Sequence, residues 1–250
     1  MVEFGVVQDR YVGDIGDFGK YALLKALVGD ELRLGVNWYL NAVEEANTDG
    51  RFTDYRRMRQ CDPALFDTLQ DLVCRGKRSV AEVERAGVLP GGTVFYSAPL
   101  SAHGWSDRTA RRISWNARAL DVLAGADLVF MDPDNGLTRR PAGELGAAAA
   151  KYVTPGDVGP FLRNGKSLII YHHQTRQKGG LAVTIPERFA LLRSLGCQTP
   201  WAFVFRRISV RVYFIVPSQA HVDTLARRSS IFLDTLWVHD GHFQLELPSG

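Results

Sequence analysis

The sequence is poor in cysteine, in lysine and in long apolar runs. Its three cysteines, Cys61, Cys74 and Cys197, are an odd number without metal-like spacing, so we expect neither a disulfide framework nor a zinc knuckle. No apolar run approaches the ~20 residues that cross a bilayer, and residues 1–10 are too short and too charged for a signal peptide. These absences predict a cytoplasmic protein that does not act at a membrane.

The basic residues are mostly arginine. Lysine supplies six of the 30 basic residues, and the net charge is +3. Because the planar guanidinium of arginine suits bidentate contacts with phosphate and carboxylate, an anionic partner is compatible with this composition. With 250 residues, 46% of them hydrophobic, and no visible repeat or linker, we expect residues 1–250 to form one domain.

Apolar segments of strand length alternate with segments of helical periodicity. The segments that indicate strands are Leu34–Leu40, Thr93–Ser97, Ala126–Asp132, Ser167–Tyr171, Trp201–Phe205, Val210–Val216 and His242–Leu247. Those that indicate helices are Phe18–Gly29, Pro63–Cys74, Ser79–Ala86, Thr109–Leu123 (with Ile113, Leu120 and Leu123 facing inward), Ile185–Leu195 and His221–Leu236. The pattern predicts an α/β protein with a doubly wound, mostly parallel sheet and an antiparallel C-terminal hairpin, that is, a Rossmann-like fold.

Polar side chains follow two of the predicted strands at the point where each ends. Asp132, Asp134 and Asn135 follow one strand, and His172, His173 and Gln174 follow the next. Ligands of open α/β sheets bind at the carboxyl ends of the strands. We therefore predict one catalytic site that contains the first five of these residues.

The chemistry of this site has two open alternatives. Asp132 could accept a hydrogen bond from an amine that is to be methylated. Alternatively, Asp132 and Asp134 could bind Mg²⁺ or Mn²⁺, which prefer oxygen ligands. Because successive strand residues point to opposite faces, only one of His172 and His173 can point straight into the site, as a general base or a metal ligand.

The segment Gly13–Lys20 predicts a loop that leads into a helix. Its acidic and glycine residues suit a ligand-binding loop, and Asp17 is the expected N-cap. Asp14 lacks a capping role in this interpretation, so it can face the ligand. Lys20 in the first helical turn is unfavourable with respect to the helix dipole, which indicates that it pairs with an anionic ligand or with Asp14.

Other polar residues are candidates for cofactor or substrate contacts. Asn37 lies in the middle of the first predicted strand and needs a partner if it is buried. Asn41 and Asp49 follow that strand, where an acid could hold a ribose hydroxyl. Arg57 belongs to the basic segment that contains Phe52 and Tyr55, a pattern typical of phosphate contacts with base stacking. Together with Arg176 and Gln174, Arg57 is a candidate for binding a nucleic acid or nucleotide substrate.

The segment Asp127–Pro133 resembles the fourth-strand motif of amino-methyltransferases, in which an apolar strand ends in Asp/Asn-Pro-Pro-Tyr/Phe. Gly13–Lys20 is similar in placement to the loop and helix before the first strand of bacterial ribosomal-RNA adenine-N6 methyltransferases, and Trp201–Val216 resembles the closing strands of that fold. The resemblance implies a class I fold, S-adenosylmethionine as cofactor and a nucleic acid or nucleotide as substrate. The chain also resembles an uncharacterised bacterial family that shares the Asp-Pro-Asp-Asn-Gly and Tyr-His-His segments, which implies no activity.

The sequence departs from the methyltransferase pattern at two points. Residues 41–49 contain no glycine, where those enzymes have a glycine-rich turn, and Asp134-Asn135 replaces Pro-Tyr. Both departures favour the alternative, a divalent-metal nuclease or phosphohydrolase, while the order of the predicted strands favours methyl transfer. A third interpretation is a fold that binds nucleotide or partner without turnover.

Overall fold

A computed structural model describes residue 9 and residues 11–40, 50–100, 107–174 and 177–248. The described helices are α1 (Ile15–Val28), α2 (Pro63–Cys74), α3 (Val80–Arg85), α4 (Arg108–Val122), α5 (Ala142–Leu145), α6 (Pro155–Arg163), α7 (Gly180–Ser194), α8 (Val222–Leu233) and α9 (Leu236–His239), with 3₁₀ helices at Arg56–Cys61 and Gly146–Lys151. The strands are β1 (Leu34–Asn37), β2 (Val94–Tyr96), β3 (Leu128–Met131), β4 (Gly136–Leu137), β5 (Tyr152–Val153), β6 (Ser167–His173), β7 (Trp201–Arg207), β8 (Ser209–Val216) and β9 (Phe243–Glu246). None of the helices described is both long and apolar enough to span a membrane.

Seven strands form one mixed sheet in the order β2-β1-β3-β6-β8-β7-β9. The first four are parallel to one another, and the last three add in antiparallel fashion. The predicted α/β class and the C-terminal hairpin of β7 and β8 are therefore confirmed. The chain runs from β1 outward to β2 and then returns to β3 on the other side of β1. The strand order thus reverses between β1 and β3, which is where ligands bind in open α/β sheets.

Apolar side chains of the central strands alternate between two hydrophobic clusters. Phe130 and Ile169 pack on what we call the first face, with α1, α2, α3, α8 and α9. Met131 and Ile170 pack on the second face, with α4, α6 and α7. Helices on both faces explain why these strands are uninterrupted apolar runs rather than alternating polar and apolar residues.

The helix α2 has the predicted bounds, Pro63–Cys74. Its signals are local, because Pro63 occupies the first turn and the Asp62 side chain accepts a hydrogen bond from the Leu65 N–H. The predicted inward face of α4 was partly wrong, since Ile113 is 66% exposed. A buried Arg112 takes the inward position and pairs with Asp157 of α6 on the second face.

Candidate functional site

A cavity of about 410 Å³ opens on the first face at the carboxyl ends of β1, β3 and β6. Residues at the start of α1, after β1, after β3 and at the facing ends of β6 and β8 line it. The polar and aromatic members of this lining are Tyr11, Asp14, Asp17, Lys20, Tyr21, Trp38, Phe52, Asp132, Asp134, Asn135, Lys151, Tyr171, His173, Ser209, Arg211 and Tyr213. The cavity therefore lies at the reversal of the strand order.

The start of α1 places two carboxylates in the cavity. Asp14, not Asp17, is the N-cap, because its Oδ1 accepts a hydrogen bond of 2.9 Å from the Asp17 N–H. The prediction of Asp17 as N-cap was wrong by one helical turn, since the helix begins at Ile15. Asp17 instead places Oδ1 2.7 Å from Lys20 Nζ. An acid within the first turn also suits the helix dipole.

Lys20 joins the helix to the tip of β3. Its Nζ lies 2.9 Å from Asp132 Oδ2 and 2.7 Å from Asp17 Oδ1. The ammonium also lies 4.8 Å from the ring centroid of Tyr21 and 5.6 Å from that of Trp38. A single cation is thus held by two carboxylates and two aromatic rings at the floor of the cavity.

Burial shifts the titration of this cluster. It raises the pKa of Asp132, and the Lys20 ammonium offsets only part of that effect. Burial and the neighbouring Asp17 carboxylate raise the pKa of Asp14 to about 6, although Arg211 lies 3.6 Å away. Burial alone would lower the pKa of Lys20, but Asp132 and Asp17 outweigh it and raise that pKa well above its usual value. Clefts with such shifted groups are candidates for function.

Backbone hydrogen bonds hold the segment after β3 in place. The Asn135 N–H donates to the Lys151 carbonyl at 2.9 Å, and the Asn135 carbonyl accepts from the His173 N–H at 3.2 Å. Gly136 follows with φ +109°, and a Cβ there would lie 2.4 Å from Nδ1 of His172. The tip that carries Asp132, Asp134 and Asn135 therefore depends on a glycine at 136.

The two histidines of β6 point to opposite faces. His173 lines the cavity, and its Nδ1 lies 3.4 Å from the Tyr171 hydroxyl. His172 is buried on the second face against Phe214, and neither of its ring nitrogens has a hydrogen-bond partner among the described residues. Burial, reinforced by the nearby Arg188 and His173, lowers its pKa to about 3. Because successive strand residues alternate between faces, the structure brings His173 and not His172 to the cavity.

Other predicted contacts fall outside the cavity lining. Asn37 is fully buried and in register with Met131, so its side chain points to the second face, away from the cavity. Its carbonyl accepts a hydrogen bond from the Asp132 N–H at 3.0 Å. Gln174 and Arg57 do not line the cavity. The predicted residues that lie outside the described ranges are Asn41, Asp49 and Arg176.

Sequence reasoning missed two members of the cavity on β8. Arg211 is a half-buried arginine in an apolar strand, and Gly16 makes room for it, because a Cβ there would lie 2.4 Å from its guanidinium. Tyr213 lines the same wall with a buried hydroxyl that lacks a hydrogen-bond partner among the described residues. The sequence offers a signal for Arg211, because it is a charged residue within the apolar run Val210–Val216. It offers no such signal for Tyr213.

Neither the comparison with protein-family models nor that with curated proteins finds a match to this chain.

Proposed function

We propose that this protein transfers a methyl group from S-adenosylmethionine to an amino group of a nucleotide or nucleic acid base. The observation that carries the proposal is Asp132, a buried carboxylate at the reversal of the strand order, in a cavity with an ammonium between two carboxylates. Four parallel strands with an antiparallel hairpin added beside the last support a doubly wound, Rossmann-like arrangement for this family of reactions.

The cavity fits S-adenosylmethionine in charge. The cofactor carries a sulfonium and an ammonium, and Asp14 and Asp17 offer carboxylates at the start of α1, where Lys20 already shows that the cavity holds a cation. Tyr21 and Trp38 supply aromatic walls around that cation. When bound, the cofactor supplies an electrophilic methyl group.

Asp132 is the residue that we assign to the acceptor amine. Its Oδ2 contacts Lys20, and its side chain lines the cavity with 11% of its surface exposed. The Lys20 ammonium favours the ionised form of this carboxylate and offsets part of the effect of burial on its pKa. In that form Asp132 can accept an N–H hydrogen bond and orient the nitrogen lone pair. His173, at the rim of the same cavity, is the group that takes up the proton which the amine loses.

Phe52 supplies the aromatic surface that the Asp-Pro-Asp-Asn segment lacks. It is 40% exposed and lines the cavity, and the Arg51 guanidinium lies 5.3 Å from its ring centroid. Tyr55, the other aromatic of the basic segment, is buried at 4% exposure and cannot stack on a substrate. A planar base at the mouth of the cavity can stack on Phe52.

The phosphate-binding role of the basic segment has weaker support. Arg56 and Arg59 pair with Asp54 and Asp67 at 2.8 and 2.6 Å, so their charges are partly neutralised within the chain. Arg57 is exposed and adjacent. We therefore favour a small nucleotide or a single flipped base over a long nucleic acid footprint.

The metal-dependent alternative has less support from the donor geometry. Four carboxylates and His173 line the cavity, but the Lys20 ammonium occupies the space between Asp17 and Asp132 that a metal would need. Within the described ranges, the group of three metal-ligand residues whose ligand atoms approach within 4.8 Å lies outside the cavity lining. Mg²⁺ or Mn²⁺ binding at Asp132 and Asp134 remains the alternative that the experiment must exclude.

A thermal-shift titration separates these proposals. We expect S-adenosylmethionine and S-adenosylhomocysteine to raise the melting temperature of the wild-type protein through ligand linkage, and Mg²⁺ and Mn²⁺ to leave it unchanged. A shift with the metals alone would establish the alternative instead. No shift with either adenosyl compound would refute the cofactor assignment.

Methyl transfer from labelled S-adenosylmethionine to nucleotides and to total RNA tests the assigned roles. We expect Asp132→Asn to reduce transfer by about a hundredfold or more while S-adenosylhomocysteine still binds. The matched control is Asp127→Asn, at the opposite end of β3, where the carboxylate pairs with Arg33 and contacts no part of the cavity. Equal transfer by Asp132→Asn and the wild type would contradict the role of this residue.

A further inference from the structure

A second cluster of chemically reactive side chains lies outside the cavity. It consists of Cys61 at the end of a 3₁₀ helix, Asp240 at the end of α9 and His242 directly before β9. One ligand atom from each residue lies within 4.8 Å of the other two. Cys61 precedes the other two residues by about 180 positions, so the fold brings it to them.

The histidine of this cluster is buried and has one ring nitrogen without a hydrogen-bond partner among the described residues. His242 is 8% exposed, and its Nδ1 is buried with no hydrogen-bond partner in the described part of the chain. Buried polar atoms in native proteins nearly always have a partner, so an orphaned imidazole nitrogen beside a thiol and a carboxylate indicates an absent ligand.

We propose that Cys61, Asp240 and His242 bind a Zn²⁺ ion. Sulfur, imidazole nitrogen and carboxylate oxygen are the three ligand types that zinc takes in proteins, and three protein ligands leave a fourth tetrahedral position for water. Zinc bond lengths place tetrahedral ligand atoms about 3.5 Å apart, and the three ligand atoms lie within 4.8 Å of one another, so the groups need to approach by at most about 1.3 Å. Asp240 is exposed and Cys61 half-buried, which gives both the freedom to do so.

The neighbours of the cluster hold two of its ligands in place. Gln60 Nε2 donates to Asp240 Oδ2 at 3.1 Å, and Arg207 Nη2 donates to the Asp240 carbonyl at 3.0 Å. The His242 carbonyl accepts from the Arg206 N–H at 3.0 Å, at the start of the β7–β9 pairing. Such outer contacts orient metal ligands. Burial raises the pKa of the Cys61 thiol to about 11, so the metal must displace its proton.

The ion would join two remote parts of the chain. The 3₁₀ helix that ends at Cys61 follows the segment with Gly50 and Phe52 at the cavity mouth, and Asp240 and His242 belong to the turn between α9 and β9. Zinc would therefore fix this segment against the C-terminal edge of the sheet. The role is separate from methyl transfer, because none of the three ligands lines the cavity.

Cobalt titration of the full chain, freed of metal with a chelator, tests the site. We expect one Co²⁺ to bind per chain with a thiolate-to-cobalt charge-transfer band and the visible bands of tetrahedral cobalt, and Zn²⁺ to displace it. Cys61→Ser should abolish the charge-transfer band, and Cys74→Ser, at an exposed cysteine, should keep it. A wild-type protein without this band, or a band that survives Cys61→Ser, would overturn the proposal.

Two further variants keep the test valid if Cys61→Ser fails to fold. Asp240→Asn changes an exposed side chain and should weaken Co²⁺ binding at least tenfold, whereas His239→Gln, at an exposed histidine in the preceding helix, should leave it unchanged. Equal binding by wild type and Asp240→Asn would remove Asp240 from the site. The cavity cannot imitate a positive result, because no cysteine lines it.

Discussion

The two faces of the sheet each hold a buried ion pair, and the pairs differ in how fully they are satisfied. On the second face, Arg112 contacts Asp157 through Nε at 2.9 Å and donates to the carbonyls of Ala149 and Tyr152 at 2.8 and 2.6 Å. Asp157 also accepts from the N–H and hydroxyl of Thr154 at 2.7 and 2.9 Å. This network is closed, and its role is to hold α4 and α6 together.

The ion pair on the first face is less fully satisfied by its neighbours. Lys20 is shared between Asp17 and Asp132, Asp14 has a raised pKa, and the nearby Tyr213 hydroxyl lacks a partner among the described residues. All of these groups line the cavity. Burial of charge alone therefore does not indicate function. What distinguishes the first face is charge that is buried but incompletely paired beside a space for a ligand.

The largest effect on the free energy of unfolding should come from breaking the network of Arg112 and Asp157. We expect Arg112→Met to lower the free energy of unfolding by about 3–5 kcal/mol, because it leaves the Asp157 carboxylate buried without its cation. Urea denaturation measures this loss. Arg118→Met, at an exposed position of the same helix, should change stability by less than about 0.5 kcal/mol. A similar cost for both variants would show that the pair is not the cause.

Asp14→Asn should stabilise the protein in a pH-dependent way. The folded-state pKa of about 6 lies above the usual 3.8, so the folded state binds this proton more tightly, and stability falls as pH rises from about 4 to 6. Asparagine also caps helices, so the variant should gain about 2–3 kcal/mol at pH 7.5 and almost nothing at pH 4. Unfolding curves at both pH values measure the difference. The same gain at both would contradict the assigned cause.

The control for this variant is Asp62→Asn. Asp62 also caps a helix and also contacts a cation, Lys25, at 2.8 Å. Because it lies outside the cavity lining, its replacement should bring no gain at pH 7.5. A gain there equal to that of Asp14→Asn would point to a general effect of removing acidic caps.

His172→Met should give a smaller gain with the opposite pH trend. The folded-state pKa of about 3 lies below the usual 6.5, so wild-type stability is present above pH 6.5 and is lost as pH falls toward 3. Methionine is close in volume and needs no hydrogen bond, so we expect about 1 kcal/mol of stabilisation at pH 7. The gain should rise by about 2 kcal/mol at pH 5. A gain that does not grow in acid would show that His172 is not a buried neutral imidazole.

Local signals predicted most of the elements but not the roles that need distant partners. Pro63 and Asp62 predict the start of α2, and the apolar run Ala126–Asp132 predicts β3, which is Leu128–Met131 and ends one residue before Asp132. The inward position of Arg112 could not be read from periodicity, because it depends on Asp157, 45 residues later. Helix periodicity assigns apolar residues inward, and for that reason Ile113 was placed in the core.

The candidate site was predicted in part for a similar reason. Strand ends are visible in the sequence, so Asp132 and His173 were found, and alternation limits the site to one of the two histidines. Only the packed sheet decides which one, because the face that carries α1 is set by tertiary contacts. The spacing of the cysteines gave no metal signal, since the other two potential ligands of Cys61 come from the far end of the chain.

The glycine at position 136 constrains every related chain that has the same arrangement of polar groups. A Cβ there would lie 2.5 Å from the backbone Cα of His172 as well as 2.4 Å from its Nδ1, so a smaller residue at 172 would not make room for a side chain at 136. A related chain that keeps an aspartate at 132 in this arrangement should therefore keep a glycine at 136, whichever residue stands at 172. This pair of residues would identify chains with the same acidic tip, even where the overall sequence has diverged.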